Sequence, residues 1–168
     1  PKLCPVTLEL GGKNPNIIMS DADLEIAIPG VIDGMRYTRQ GQACTAGSRV
    51  YIHEKIYDKV LDGAVKKLSI LKMGNALDEN SDIGAIISEE QLKRTLYYMD
   101  IAKKNPSTKI LHGGNQSKGG DYKDGFYYEP TLLSGLPVSS PVCQEEVFGP
   151  VACAIPFKSF DEVMKSAN

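Results

Sequence analysis

Helical and strand-like patterns of apolar residues alternate along the whole chain. Apolar residues recur at intervals of three and four positions in three segments, which predicts amphipathic helices over 55–72, 89–104 and 160–167. A fourth helical pattern covers 21–40, and we expect an interruption at Pro29-Gly30 because proline removes a helical hydrogen bond. Ser88 is the predicted N-cap of the helix at 89–104, since its hydroxyl can accept a hydrogen bond from the first turn.

Short runs rich in β-branched and other apolar residues lie between the helical segments. They predict strands over 16–19, 48–53, 109–112, 126–133 and 151–156. Strands that alternate with helices of this length are typical of an α/β domain, in which a mostly parallel sheet is flanked by layers of helices. The pattern therefore predicts one layered α/β domain, without an internal repeat or a low-complexity segment.

The composition is that of an ordinary globular domain. Hydrophobic residues make up 42% and charged residues 24% of the 168 positions, which does not fit a disordered chain. The 19 basic residues are balanced by 21 acidic ones, so the chain has no excess of positive charge that would attract a nucleic acid. No apolar run approaches the roughly 20 residues that a membrane helix needs. We therefore expect neither a nucleic-acid partner nor a membrane partner.

Four cysteines are spread along the chain, at Cys4, Cys44, Cys143 and Cys153. They show neither CxxC spacing nor the density of a disulfide scaffold, so a reducing interior is the simplest setting. The last two flank a strand-like segment and are predicted to be buried thiols. A metal site is disfavoured because the chain has only two histidines, His53 and His112.

Cys44 lies among small residues and glycines and not in an apolar run. The segment 40–49 reads Gln-Gly-Gln-Ala-Cys-Thr-Ala-Gly-Ser-Arg and places this cysteine in a glycine-bounded turn between a predicted helix and a predicted strand. Such a turn leaves room for a substrate beside the sulfur, which makes Cys44 a candidate nucleophile. The alternative, commoner for a cysteine taken alone, is an inert thiol that behaves as a small hydrophobe.

Glu9 lies within an apolar, strand-like stretch. The segment 7–15 reads Thr-Leu-Glu-Leu-Gly-Gly-Lys-Asn-Pro. If the Glu9 carboxylate is buried without a partner, its pKa rises toward neutrality, which suits a general base. Because Thr7 and Glu9 alternate with apolar residues, the alternative is a surface glutamate on the polar face of a strand.

A third segment, 140–150, has two adjacent acids before a turn and reads Ser-Pro-Val-Cys-Gln-Glu-Glu-Val-Phe-Gly-Pro. With Glu-Leu-Gly-Gly-Lys and Gly-Gln-x-Cys before it in this order, the chain resembles the aldehyde dehydrogenase superfamily. The stretches at 16–23 and 129–133 match as well, so the resemblance covers essentially the whole chain. It implies oxidation of an aldehyde to a carboxylic acid through a cysteine thiohemiacetal and a thioester, with hydride transfer to NAD or NADP.

The resemblance implies a role for individual residues of these motifs. Cys44 would be the nucleophile, and Glu9 would be the general base that activates water. Glu146 would hold the hydroxyls of the nicotinamide ribose, and Phe148 would lie beside the ribose and ring. The remaining implied contacts are with the nicotinamide for Leu10 and Gly11, with the substrate for Ala43 and Thr45, and with the adenosine side of the cofactor for Gln91.

The resemblance also implies parts that the printed sequence does not contain. In the family, the pyrophosphate-binding turn and a side-chain amide of the oxyanion hole precede the Glu-Leu-Gly-Gly-Lys segment, and an oligomerisation segment follows the last helix. Residues 1–168 are therefore expected to be the catalytic domain of a longer, cytoplasmic and homo-oligomeric enzyme. The alternative for this chain taken alone is a folded domain that is inactive as a dehydrogenase and retains at most thiol-esterase chemistry.

Two other reactions compete with hydrolytic aldehyde oxidation. Acylating aldehyde dehydrogenases transfer the thioester to coenzyme A and generally lack the base glutamate, so Glu9 favours hydrolysis. A hydrolase that uses a Cys-His pair would need His53 or His112 beside Cys44, and neither histidine lies in a recognisable motif.

Overall fold

One sheet organises the computed structural model, which describes residues 3–168. Its strands are β1 (Pro15–Ile18), β2 (Arg49–His53), β3 (Lys109–His112), β4 (Thr131–Ser134) and β5 (Val151–Phe157). The order across the sheet is β1-β2-β5-β4-β3. Neighbouring strands are parallel except for β3, which pairs with β4 in antiparallel register. The predicted α/β domain with a mostly parallel sheet is confirmed.

Helices connect the strands and cover the sheet. They are α1 (Leu24–Met35), α2 (Tyr57–Ser69), α3 (Glu89–Lys104), α4 (Pro141–Gln144) and α5 (Phe160–Ala167), with short 3₁₀ helices at Tyr37–Arg39, Glu54–Ile56 and Gly120–Tyr122. The predicted bounds of α3 and α5 are confirmed, and Ser88 caps α3 by accepting a hydrogen bond from the Gln91 N–H at 3.2 Å. Within residues 3–168, no helix combines the length and apolar character that crossing a membrane requires.

The central strands contribute to two apolar cores, one on each face of the sheet. Successive side chains of a strand point to opposite faces, so Val50 and Ile52 of β2 lie on one face and Tyr51 on the other. Residues of α1 and α2 cover the first face: Val31, Met35, Val60 and Leu68. Residues of α3, α4 and α5 cover the second: Leu92, Met99, Val142 and Val163. Because both faces are covered, β2 and most of β5 are buried.

Helix α1 runs without interruption through Pro29, so the predicted break there is wrong. A proline at this position removes the hydrogen bond to the carbonyl of Glu25, one helical turn earlier. Glu25 lies in the exposed first turn, where water can replace that single bond, and the apolar face of the helix contributes buried residues to the core: Val31, Ile32 and Met35.

The strand predicted over 126–133 is also shorter in the structure. Only Thr131–Ser134 joins the sheet, as β4, whereas Phe126 and Tyr128 form isolated bridges with Ile86 and Gln116. Pro130 separates the two parts, and its ring nitrogen has no N–H to donate to a neighbouring strand.

The buried guanidinium of Arg49 joins the beginning of β1 to the end of α5. Its Nε donates to the carbonyl of Lys13 at 2.9 Å, and its Nη2 donates to the carbonyl of Ala167 at 2.8 Å. Nη1 donates to the carbonyl of Ser166 at 3.3 Å. The dipole of α5 favours a cation at this carboxyl end. Through its hydrogen bonds, Arg49 fixes the segment before β1 to the end of α5.

Candidate active site

The three sequence motifs meet at one edge of the sheet. Residues 9–14 precede β1, residues 40–48 precede β2, and residues 145–150 precede β5. Because β1, β2 and β5 are neighbours and run parallel, their amino ends lie side by side. Ligands of open α/β sheets usually bind at the carboxyl ends of the strands. The candidate site lies at the opposite edge, at the amino ends of the strands.

Cys44 occupies an exposed β-turn directly before β2. The N–H of Ala46 donates to the carbonyl of Ala43 at 3.0 Å, which places Cys44 and Thr45 at the two central positions of the turn. Both central side chains are exposed, while Ala43 is half-buried. The predicted turn is confirmed, and the thiol is accessible to a small molecule.

The sequence did not reveal the contact that holds this turn from outside. The side-chain amide of Asn14 donates to the carbonyl of Cys44 at 2.6 Å and to the carbonyl of Ala46 at 3.3 Å. Asn14 belongs to the segment that follows Glu9, so this residue joins the first motif to the second. Only the position of Asn14 at the end of Gly-Gly-Lys could have suggested such a role, because the pairing depends on the register of β1 against β2.

Glu146 lies against the glycines that follow the candidate base. Its Oε1 accepts a hydrogen bond from the N–H of Gly12 at 3.2 Å. A Cβ added at Gly11 would collide with the same carboxylate, which would have to move away. Glu146 also shares a small cleft with Ala43 and Phe148. The structure thus brings together residues of all three motifs.

The backbone around Phe148 is strained and is held by α3. Phe148 has a φ of 55°, a left-handed conformation that non-glycine residues adopt only when their surroundings impose it. The Nε2 of Gln91 donates to the carbonyls of Val147 at 2.9 Å and Phe148 at 2.8 Å. The Nε of Arg94 donates to the carbonyl of Glu146 at 3.2 Å. Gln91 therefore fixes the backbone of the Glu-Glu-Val-Phe-Gly-Pro segment, and its adenosine-side contact stays a prediction.

An open cleft of about 640 Å³ lies between the start of α3 and the Glu-Glu-Val-Phe-Gly-Pro segment. Its lining residues include Ser88, Gln91, Arg94, Glu146 and Phe148. A half-buried carboxylate accepts hydrogen bonds from paired hydroxyl groups, and an aromatic ring beside it offers an apolar surface. The roles of Glu146 and Phe148 beside the ribose and the flat ring of a dinucleotide stay predictions.

Glu9 and Leu10 lie outside this cluster, in a segment without regular structure. Residues 3–12 form no strand, and Leu8 and Leu10 are 69% and 74% exposed, so the strand-like prediction for 7–10 is wrong. A strand needs hydrogen-bonding partners, and the part of the chain that the structure describes offers this segment none. Glu9 is exposed and not buried, and within residues 3–168 no hydrogen bond joins it to Cys44. Its role as general base stays a prediction.

Cys143 and Cys153 are not part of the exposed thiol turn. Both are buried as predicted, and the neighbouring Cys143 thiol, reinforced by burial, raises the pKa of Cys153 well above its usual value. Among residues 3–168, no group of three or more metal-ligating side chains is found.

Neither histidine supports a Cys-His pair. His53 ends β2 at the edge opposite the thiol turn, where its Nδ1 accepts a hydrogen bond from the Lys55 N–H at 3.2 Å. His112 lies on β3, three strands from β2, which corresponds to about 14 Å at the usual strand spacing. A Cys44-His hydrolase therefore has no geometric support.

Lys13 carries an ammonium group that is buried without a hydrogen-bond partner among residues 3–168. Burial lowers its pKa below the usual 10.5, and the neighbouring Cys153 and Cys143 thiols oppose that shift. The unfolded chain therefore binds this proton more tightly than the folded chain, so burying the charged form costs stability until the pH approaches 10.5.

We expect a Lys13→Met variant to be more stable than the parent chain at pH 7, by about 1 to 2 kcal/mol, because it removes a buried unpaired charge. The difference should shrink as the pH rises toward 10.5. Urea unfolding at several pH values measures it, with the exposed Lys59→Met as a control that should show no such trend. A Lys13→Met variant that is less stable at pH 7 would contradict this reading.

The fold and the site together define an α/β domain with an exposed thiol at the amino edge of its parallel sheet. A sequence profile described as the aldehyde dehydrogenase family matches residues 1–168. An aldehyde dehydrogenase of Rhodospirillum rubrum is 40% identical over 172 residues, covering 99% of this chain and 33% of that protein. The D-glyceraldehyde dehydrogenase (NADP(+)) of Picrophilus torridus is 39% identical over 167 residues, covering 99% of this chain and 33% of that protein.

A solved structure gives the same result in three dimensions. The NAD+ complex of aldehyde dehydrogenase from Bacillus cereus matches with a TM-score of 0.90 and 40% identity, covering 98% of this chain and 32% of that one. The chain belongs to the aldehyde dehydrogenase family. It spans about a third of the length of the relatives that it matches.

Proposed function

We propose that residues 1–168 form the catalytic domain of a longer NAD- or NADP-dependent aldehyde dehydrogenase, which oxidises an aldehyde to a carboxylic acid. The observation that carries the proposal is the meeting of the three motifs at the amino ends of β1, β2 and β5. A relative whose name specifies NADP(+) and a solved structure of another in complex with NAD+ support the choice of cofactors. The proposed homo-oligomeric state and cytoplasmic location rest on the sequence resemblance.

Cys44 begins the proposed reaction. Its thiolate adds to the aldehyde carbon, a carbon–sulfur bond forms, and the carbonyl oxygen becomes an oxyanion. The backbone N–H of Cys44 is one candidate donor to that oxyanion. The exposed position of the turn, with Ala43 and Thr45 beside the sulfur, leaves space for the substrate.

The cofactor residues position the hydride acceptor. When bound, the nicotinamide supplies the group that takes the hydride from the thiohemiacetal carbon, which leaves a thioester on Cys44. Glu146 would accept hydrogen bonds from the ribose hydroxyls, and Phe148 would border the ribose and ring. The backbone of Leu10 and Gly11 would border the nicotinamide, and an additional side chain at Gly11 would displace Glu146.

Glu9 completes the proposed cycle by taking a proton from water. The water oxygen then attacks the thioester carbonyl, the carbon–sulfur bond breaks, and the acid leaves with Cys44 restored as thiolate. The exposure of Glu9 in this chain allows contact with water.

We expect Glu9→Gln to slow hydrolysis of the thioester by about 10² to 10⁴-fold, because the amide cannot accept the proton. Acylation should be much less affected, so the acyl adduct on Cys44 should accumulate and be visible by intact-mass spectrometry. Glu79→Gln, an exposed glutamate in a distant loop, serves as the matched control. Unchanged turnover in the Glu9 variant would remove this residue from the mechanism.

The second candidate function, for the isolated chain, is thiol-esterase chemistry at Cys44 without dehydrogenase activity. Its support is the exposed Cys44 together with the uncovered apolar side chains of Leu8 and Leu10 beside the candidate base. The deciding experiment measures formation of reduced cofactor from an aldehyde, with the 168-residue chain and with a family-length protein that contains it. We expect reduced cofactor only from the longer protein; no reduction by the longer protein would contradict the proposed function.

A further inference from the structure

Asn14 contacts the one peptide unit of the thiol turn that is free to rotate. In a β-turn the central peptide, here between Cys44 and Thr45, takes no part in the closing hydrogen bond from Ala46 to Ala43. Its rotation changes ψ of the first central residue and φ of the second by about 150°, which interconverts the two common turn types. The amide of Asn14 donates to the carbonyl of this peptide at 2.6 Å.

The side chain of Asn14 can hold this peptide in only one orientation. Its amide nitrogen has two hydrogens, and both are used, because the carbonyl of Ala46 accepts the second bond at 3.3 Å. An amide turned by 180° would place its oxygen against two carbonyl oxygens. Rotation of the central peptide would move the carbonyl of Cys44 away and break the shorter bond.

Asn14 is itself anchored in the sheet. Its carbonyl accepts a hydrogen bond from the N–H of Arg49, the first residue of β2, at 3.2 Å. Two residues earlier, the N–H of Gly12 donates to the carboxylate of Glu146. The segment 12–14 therefore joins the carboxylate of the cleft to the backbone of the thiol turn.

We propose that Asn14 is a positioning residue, which fixes the backbone conformation of the turn that carries Cys44, and with it the direction of the Thr45 N–H, by holding the central peptide of this turn. The role of this backbone conformation in acyl transfer rests on the proposed function. Thr45 acts in the same sense, because a β-branched residue resists the positive φ that the rotated turn would require at its position. A molecule without the Asn14 donors would keep its fold and lose the single conformation of the thiol turn.

The first test follows the turn itself. We expect amide resonances of residues 43–47 to broaden or double in an Asn14→Leu variant of the 168-residue chain, while those of β2 and α3 remain unchanged. Leucine is similar in size and has no donor, and Asn105→Leu, which replaces another half-buried asparagine at the far end of α3, is the matched control. Unchanged resonances over 43–47 would overturn the proposal.

The second test separates alignment from exposure. Acylation of Cys44 by p-nitrophenyl acetate needs a directed attack on a carbonyl, and we expect Asn14→Leu to slow it about tenfold. Alkylation of the same thiol by iodoacetamide should change less than about twofold, with Cys4 as an internal reference. Equal effects on both reactions would overturn the positioning role. If the parent 168-residue chain shows no acylation of Cys44, acyl transfer by this chain alone is contradicted, and the resonances decide the role of Asn14. Formation of reduced cofactor by the longer protein decides the proposed function separately.

A double variant sharpens the test. Thr45→Gly removes the β-branched side chain, so the central peptide depends more on Asn14. Asn14→Leu should then broaden or double the amide resonances of residues 43–47 more strongly in the Thr45→Gly background than in the chain that retains Thr45. Such a difference is a non-additive effect of two residues that act on one peptide. Additive effects would contradict the shared role.

Discussion

Cys44→Ala should lower aldehyde oxidation by a family-length protein at least about 10³-fold, because alanine has no atom that can form a covalent bond with the aldehyde carbon. In the proposed mechanism, the hydride leaves a carbon that is already bonded to sulfur. Without the thiohemiacetal, the aldehyde retains its planar carbonyl and has no hydride to release easily. The loss should therefore appear in the rate at saturating aldehyde, measured as formation of reduced cofactor.

Cys4→Ala is the matched control, because Cys4 is the other exposed thiol. Its rate should stay within about twofold of the parent protein, as is usual for a substitution that touches no reacting group. Full activity in the Cys44 variant would overturn the assignment of the nucleophile.

Gly41→Ala should lower the free energy of unfolding by about 3 to 5 kcal/mol. Gly41 has a φ of 64°, which is unfavourable for alanine. An added Cβ would also collide with the carbonyl oxygen of Gly149 and lie 2.7 Å from the carbonyl carbon of the same residue. Gly41 of the thiol motif and Gly149 of the Phe-Gly-Pro turn therefore approach each other through their backbones.

Neither backbone can easily move to relieve this collision. The N–H of Gly41 donates to the carbonyl of Arg36 at 3.0 Å, and the carbonyl of Gly149 accepts from the N–H of Val151 at 2.7 Å. Gly30→Ala is the matched control, because its Cβ would meet no atom within 4 Å and alanine favours a helix. Urea unfolding should show a raised midpoint for Gly30→Ala and a strongly lowered one for Gly41→Ala; equal midpoints would contradict the contact.

The elements with a strong local pattern were predictable from the sequence. Helix α3 has a serine cap, acidic residues in its first turn and basic residues in its last, and its predicted bounds are correct. The buried strand β2 was predictable from the three consecutive β-forming residues Val50, Tyr51 and Ile52 before the 3₁₀ helix at Glu54–Ile56. Local chemistry alone defines both elements.

Segments whose structure depends on distant partners were not predictable in the same way. The stretch 7–10 has the alternation of a strand, yet it has no neighbouring strand in the described chain, forms no regular structure and stays exposed. Pro29 was expected to break α1, but the buried face of the helix outweighs one lost hydrogen bond. Periodicity reports the faces of an element and not the partners that stabilise it.

The motif residues of the candidate site were found from the sequence, but their arrangement was not. The motifs are separated by about 30 and 100 residues, and only the sheet order places their strands side by side. Asn14 and Arg94 act through backbone carbonyls of other motifs, and carbonyls carry no sequence signal. Such positioning residues become visible only when the register of the strands is known.

The central claim is that Cys44 accepts the acyl group, and peptide-level mass spectrometry after brief exposure to an activated ester tests it most directly. The comparison uses the 168-residue chain and its Cys44→Ala variant. We predict one acyl adduct, on Cys44, that is absent from the variant, with Cys4, Cys143 and Cys153 unmodified. Modification mainly at Cys4, or equal labelling of the parent chain and the variant, would contradict the claim.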